Sequence, residues 1–215
     1  MKKIVALLIS CVLFQLTANA ATEQEIVNQS ANILRDFRRI PEKAIPRGVL
    51  RHARGLAILS VLKIGFGVSG KGGQGIVIAR TAHGWSGPSF IGTGGAGWGV
   101  QVGAQVTDFV FVLNSYEAVR AFSKQGNVTL GVDASVAAGP VGRDASAGVT
   151  PTAAIYTYSQ SKGLFAGASI EGAVIATQRT ANERYYGHPV LARDILSGRV
   201  AAPAKANVLF RALGR

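Results

Sequence analysis

Thiol chemistry is all but missing from this chain. Its one cysteine, Cys11, lies inside the N-terminal apolar run Ile4 to Leu16. Everything beyond that run therefore lacks a disulfide partner, a thiolate metal ligand and a sulfur nucleophile. Histidine is nearly as scarce: His52, His83 and His188 stand far apart, and none has a metal-ligand spacing such as H-E-x-x-H. Acids number 11 against 23 basic residues, and no serine occupies a G-x-S-x-G elbow. The groups that a catalytic pair, a triad or a metal centre needs are not brought together, so the sequence predicts a binding protein with no catalytic residue, no metal and no cofactor. The run Ile4 to Leu16 is shorter than the roughly 20 residues of a membrane-spanning helix. No repeat of fixed period is evident, which argues against a solenoid or propeller.

The N-terminus has the sections of a secretory signal. Met1, Lys2 and Lys3 precede the apolar run, and Ala18-Asn19-Ala20 follows it, so residues 1–20 are expected to be removed after Ala20. Leu8-Ile9-Ser10-Cys11 also loosely resembles a lipoprotein box, which would instead leave Cys11 as a lipidated N-terminus. Residues 21–215 are the right size for one domain. With 48% hydrophobic and 16% charged residues the chain as a whole has ample surface to bury, and glycine and polar residues interrupt it too often for a multispanning protein.

The formal charge is +12, or +10 without Lys2 and Lys3, and it sits in two flanks. From Arg35 to Arg54 there are seven basic residues against Asp36 and Glu42; from Ile175 to Arg215 there are again seven, against Glu183 and Asp194. The long middle has seven of one sign and five of the other. Such a balance favours phosphate-bearing partners.

Thr22-Glu23-Gln24-Glu25 has the form of a capping box and predicts a helix start. Ile26, Ile33, Leu34 and Phe37 recur at helical spacing, with Arg35, Arg38 and Arg39 in the last turns, and Pro41 ends the helix. Pro46 suits the first position of a second short helix that Gly55 would cap. After Gly55 and before Thr177 lie 22 of the 27 glycines, among short β-branched and aromatic runs that read as strands. The expected strands are 56–68, 75–81, 88–91, 98–105, 108–113, 128–137, 154–159 and 164–176, joined by turns such as Ala82-His83-Gly84 and therefore antiparallel. Ser115 to Gly126 reads as an N-capped helix inserted in that meander. From Gly95 to Gly103 the odd positions are glycine or Gln101, so one face of that strand lacks bulk and something must approach its backbone closely, either at a sharp bend or in a groove. Helices return at 189–196 and 203–213, closed by Gly198 and Gly214.

Two segments match G-x-G-x-x-G, Gly70 to Gly75 and Gly92 to Gly97. A dinucleotide fingerprint needs a helix to open at the third glycine, and here strand-like Ile76-Val77-Ile78 and Trp98-Gly99-Val100 follow instead. No kinase-type H-R-D or D-F-G segment follows either. Lys71, in the first match, could still touch a phosphate.

Read in order, Ile45-Pro46 with Val49-Leu50, Ala53-Arg54-Gly55-Leu56-Ala57-Ile58, Gly75 to Arg80, Trp85-Ser86-Gly87-Pro88-Ser89, Gly97 to Gly103, Thr107-Asp108, Ala138 to Arg143 and Tyr158 to Gly172 resemble the SYLF domain family, over about residues 40–213. The resemblance implies a non-enzymatic module that binds phosphoinositides or other acidic phospholipids, and that in some eukaryotic members also binds and bundles actin. Eukaryotic members commonly carry an SH3 or FYVE domain beside it. This chain looks like a stand-alone bacterial member, and export to the periplasm would set actin aside and leave phosphatidylglycerol or cardiolipin as the acidic lipids.

Together these readings predict an α+β fold: a curved, largely antiparallel, barrel-like sheet with flanking N- and C-terminal helices and one inserted helix. The expected partner is an anionic phospholipid membrane, because a helix with an apolar stripe beside arginines can lie on a bilayer. The charge pattern nominates Arg35, Arg38, Arg39, Lys43, Arg47 and Arg51 as phosphate ligands, with Lys71 and Lys162 from the glycine-rich middle. An acidic protein or polymer of the cell envelope is the rival partner. Nucleic acid is ranked out by the export signal and by the shortage of aromatics among the flanking arginines.

Overall fold

The structure, a computed structural model, describes residues 21–39, 44–124, 127–130, 135–139, 153–163 and 174–214; within them the side chains of residues 66–69, 96–102 and 138 are not described. The expected signal segment, Cys11, Pro41 and Lys43 lie outside the described residues.

Helix α1, Glu23–Arg39, starts at the expected capping box. The Thr22 amide donates to Glu25 Oε2 at 2.7 Å, and the Glu25 amide donates to Thr22 Oγ1 at 3.3 Å. Helix α2, Arg47–His52, follows Pro46 and is capped at Ala53, so Gly55 does not cap it but opens strand β1. The glycine is needed for close packing: a Cβ there would lie 2.9 Å from both the Ile78 carbonyl oxygen and Val119 Cγ2.

The sheet is built on two very long strands, β1 (Gly55–Thr81) and β3 (Ser89–Leu113). Short β2 (Gly84–Trp85) turns back against the end of β1. Helix α3 (Tyr116–Ser123) follows, capped by Ser115 Oγ on the Ala118 amide, and then come β4 (Asn127–Thr129), β5 (Val136–Ala138), β6 (Ile155–Gly163) and β7 (Val174–Thr177). Helices α4 (Arg179–Tyr186) and α5 (Ala192–Leu196), a 3₁₀ turn (Ala204–Ala206) and α6 (Asn207–Ala212) complete the described chain. The order is β2-β1-β3-β6-β5, with β7 joining the opposite end of β3 and β4 beside it. All pairs are antiparallel except β5 with β6.

Five of the expected strands are thus parts of two. Glycine weakens a strand without interrupting its ladder, and here the two glycine runs pair with each other: Gly72 stands opposite Gly94, and Gly75 opposite Ile91. The register shifts once, between Phe66 and Val68. Absence of side chains lets the ribbon curl until β1 packs on itself. The Arg80 amide donates to the Arg54 carbonyl at 2.7 Å, and a Cβ on Gly75 would lie 1.9 Å from the Ile58 carbonyl oxygen. The outcome is a strongly curled half-barrel, with the bend where glycine is dense.

Both faces of the sheet are covered, which is why β1 and β3 begin and end in unbroken apolar runs. Leu56, Ile58, Val110, Val112, Tyr156 and Tyr158 face α1, α4 and α6. Ala57, Leu59, Phe109, Phe111 and Ile155 face α3, β4 and the end of α5. One polar pin fastens the first of these layers. Fully buried Asn182 of α4 accepts from the Phe90 amide at 2.7 Å and donates to Ser89 Oγ at 3.2 Å. Asn182→Ala would strand a buried amide, and is expected to lower stability by about 2 kcal/mol in urea denaturation.

Candidate functional site

The apolar stripe of α1 is consumed by the core. Val27, Ile33, Leu34 and Phe37 are buried against the sheet, so the helix cannot also lay that face on a bilayer. The expected amphipathic mode of membrane contact does not hold in this structure. What α1 offers instead is its arginine-bearing C-terminal end, which forms one wall of a cleft.

The cleft has a volume of about 650 Å³ and lies between α1, α2, the β1–β2 turn and the end of α6. Arg38, Arg47, Arg51 and Arg80 are its charged lining; Leu34, Ile45, Leu50 and Leu213 are among its apolar residues, with Trp85 beside them. No carboxylate lines it among the described residues.

Each arginine is positioned by a local rule. Pro46 sets the entry to α2, and Arg47 and Arg51 then fall four residues apart, one turn above the other, while Val49 anchors the helix in the core. Both are exposed, and among the described residues neither has a carboxylate within ion-pair distance. Arg38 Nη1 donates to the Ala212 carbonyl at 2.8 Å, tying α1 to α6. Arg80 and Trp85 are directly opposite across the β1–β2 hairpin, and the guanidinium carbon stands 4.0 Å from the indole ring centre.

Of the sequence-nominated residues, the structure brings Arg38, Arg47 and Arg51 together. Arg35 is half-buried and donates to Asn32 on its own helix, and exposed Arg39 does not line the cleft. Lys71 and Lys162 belong to the sheet: Lys71 lies in β1 opposite Gly95, and Lys162 Nζ is 3.8 Å from Asp108 Oδ2. Arg80 and Trp85 were not among the nominated residues. The signal for them was the turn itself, since a two-residue loop at Ala82-His83 pairs Thr81 with Gly84 and Arg80 with Trp85.

Five basic residues of the C-terminal flank have partners. Arg179 pairs with Glu183, Arg193 and Arg199 with Asp194, and Arg184 with Glu23, while Lys205 sits over the Tyr185 ring at 4.1 Å. Glu23 and Arg184 lie at a second cleft of about 500 Å³, bounded by glycines 73, 92 and 94. Burial pushes the Glu23 carboxyl up, but its own backbone amide and the Arg184 guanidinium outweigh that and hold it below the usual range. That pocket's charges satisfy one another, whereas no carboxylate lines the arginine cleft among the described residues.

Residues 94–215 match the family described as "Ysc84: Las17-binding protein actin regulator". The chain belongs to the Ysc84 family. This is the SYLF family that its motifs resemble. The chain is 48% identical to Protein YSC84 of Saccharomyces cerevisiae over 195 residues, 86% of this chain and 42% of that protein. It is 49% identical to LAS seventeen-binding protein 3 of the same yeast over 177 residues, 80% of this chain and 39% of that one. It is 46% identical to human SH3 domain-containing YSC84-like protein 1 over 193 residues, 86% and 56% respectively. The chain thus spans from about two-fifths to just over half the length of these Ysc84 relatives. The family description speaks of Las17 binding and actin regulation, and one of these relatives is named for binding Las seventeen.

Proposed function

We propose that this Ysc84-family chain is a non-enzymatic, peripheral membrane protein that binds anionic phospholipid surfaces. The observation that carries the proposal is the convergence of Arg38, Arg47, Arg51 and Arg80 on one apolar-lined cleft without a carboxylate among the described lining residues. Each basic residue close to an anionic surface contributes about 1 kcal/mol, so four hold the protein there reversibly. The leader-like first 20 residues support an exported, periplasmic location, where the acidic lipids are phosphatidylglycerol and cardiolipin.

Vesicle co-sedimentation tests this. Binding should rise with the phosphatidylglycerol fraction and drop steeply between low salt and about 0.5 M, because the Debye length shrinks from near 10 Å at 0.1 M to a few ångströms. Equal binding to purely zwitterionic vesicles would sink the proposal.

The second reading is a protein partner, favoured by the family description and by a relative named for binding Las seventeen, and the charge of the cleft calls for an acidic one. Its arginine face would be the same. A pull-down from detergent-stripped envelope separates the two, since capture without lipid supports the protein partner and dependence on restored lipid supports the membrane.

A further inference from the structure

We infer that the arginine cleft receives a single phospholipid molecule, and is not merely the most cationic part of a surface. The inference rests on the phospholipid reading above and names how that ligand is held. The phosphate diester lies between Arg47, Arg51 and Arg80, and the glycerol and first methylenes of the chains lie along Leu50, Ile45 and Leu213.

Three observations separate a discrete pocket from a charged patch. The first is concavity: about 650 Å³ falls within the roughly 300–1,000 Å³ typical of small-molecule sites, whereas attraction to a charged plane needs no recess. The second is mixed lining. Leu50, Trp85 and Leu213 pack against the core while remaining partly open, so aliphatic surface sits directly beside the guanidinium groups. An inorganic anion has no use for that surface, and a neutral hydrophobe has none for the arginines; one phospholipid uses both.

The third is preorganisation. Arg80 is held over Trp85 at 4.0 Å, and Arg38 is fixed to the Ala212 carbonyl at 2.8 Å, so two of the four cations stand in place before any ligand arrives. Ordering long side chains is one of the main costs of binding, and for Arg80, one of the three guanidinium groups around the phosphate, it is met on folding. A guanidinium also presents its donors in a planar fork that matches two phosphate oxygens.

The test uses the full chain with dihexanoyl phosphatidylglycerol kept below its micelle concentration. Calorimetry should show saturable binding of one lipid per protein, at least about tenfold tighter than glycerol phosphate, which offers only the anion, and than dihexanoyl phosphatidylcholine, which is neutral overall. Exposed Arg51→Gln should weaken it about fivefold, and Leu50→Ser should weaken the lipid but not glycerol phosphate. If folding of Leu50→Ser is impaired, Arg51→Gln and the glycerol phosphate comparison decide the matter. Equal affinity for glycerol phosphate and the short-chain lipid would overturn the inference in favour of a simple anion site. Vesicle binding without saturable binding of the monomeric lipid would overturn it in favour of surface attraction alone, leaving the proposed function standing. Loss of vesicle binding as well would remove both.

Discussion

Gly75→Ala should lower the stability of the fold by roughly 3 kcal/mol, a large share of the 5–15 kcal/mol typical of a domain, and shift the urea midpoint accordingly. The added methyl would sit 1.9 Å from the Ile58 carbonyl oxygen and 2.8 Å from the Leu59 Cα, so it meets main chain on the inside of the curl. A side chain could rotate away; the backbone of β1 cannot, because Ile58 is paired with Val110 and buried on its own face. The matched control is Gly72→Ala three residues earlier in the same strand, where nothing lies within 4 Å and the change should stay within about 0.5 kcal/mol. Equal midpoints for the two variants would mean that β1 does not fold back on itself at Ile58.

This pair of glycines also marks how far the sequence could be read. Gly72 and Gly75 look alike in a glycine-rich run, yet one faces open space and the other supports the crossing of two backbones. Pattern could say that glycine density means bending and close approach, and the curled sheet agrees with that expectation. It could not say which glycine bears the contact, because the contact joins residues far apart along the strand. For the same reason the expected strand breaks were wrong: short runs separated by glycine read as separate strands, and only the long-range pairing of β1 with β3 shows that the ladder continues through them.

Local devices were legible because their partners are close in sequence. The Thr22–Glu25 capping box, the Ser115 cap and the left-handed glycines Gly198 and Gly214 each need only a few residues. The site was legible in part. Three of the arginines crowded between Arg35 and Arg54 line the cleft, but a free cation and a paired one look alike along a chain, since Arg184 finds Glu23 across its whole length. Nor could periodicity tell that the stripe of α1 faces the core instead of a bilayer, as a buried face and a membrane face carry the same spacing.

Free and paired arginines give the prediction with the widest reach. Arg47→Gln with Arg51→Gln, and Arg193→Gln with Arg199→Gln, remove the same formal charge, so any effect of net charge on vesicle binding must be equal for both. Arg193 and Arg199 lie 3.8 and 3.1 Å from Asp194, and the field of such a cluster is partly cancelled before it reaches a membrane. Arg47 and Arg51 stand exposed at the cleft, with no carboxylate in ion-pair range among the described residues. At about 1 kcal/mol per cation, the cleft pair should lose roughly thirtyfold in partitioning onto phosphatidylglycerol vesicles, and the Asp194 pair only about threefold. Both pairs of substitutions are at exposed positions, where surface ion pairs contribute at most about 1 kcal/mol to stability, so unchanged urea midpoints should accompany the binding data. A comparable loss in the two variants would place the attraction in overall charge and take it away from the cleft, because an equal response to unequal surroundings can only come from a long-range sum.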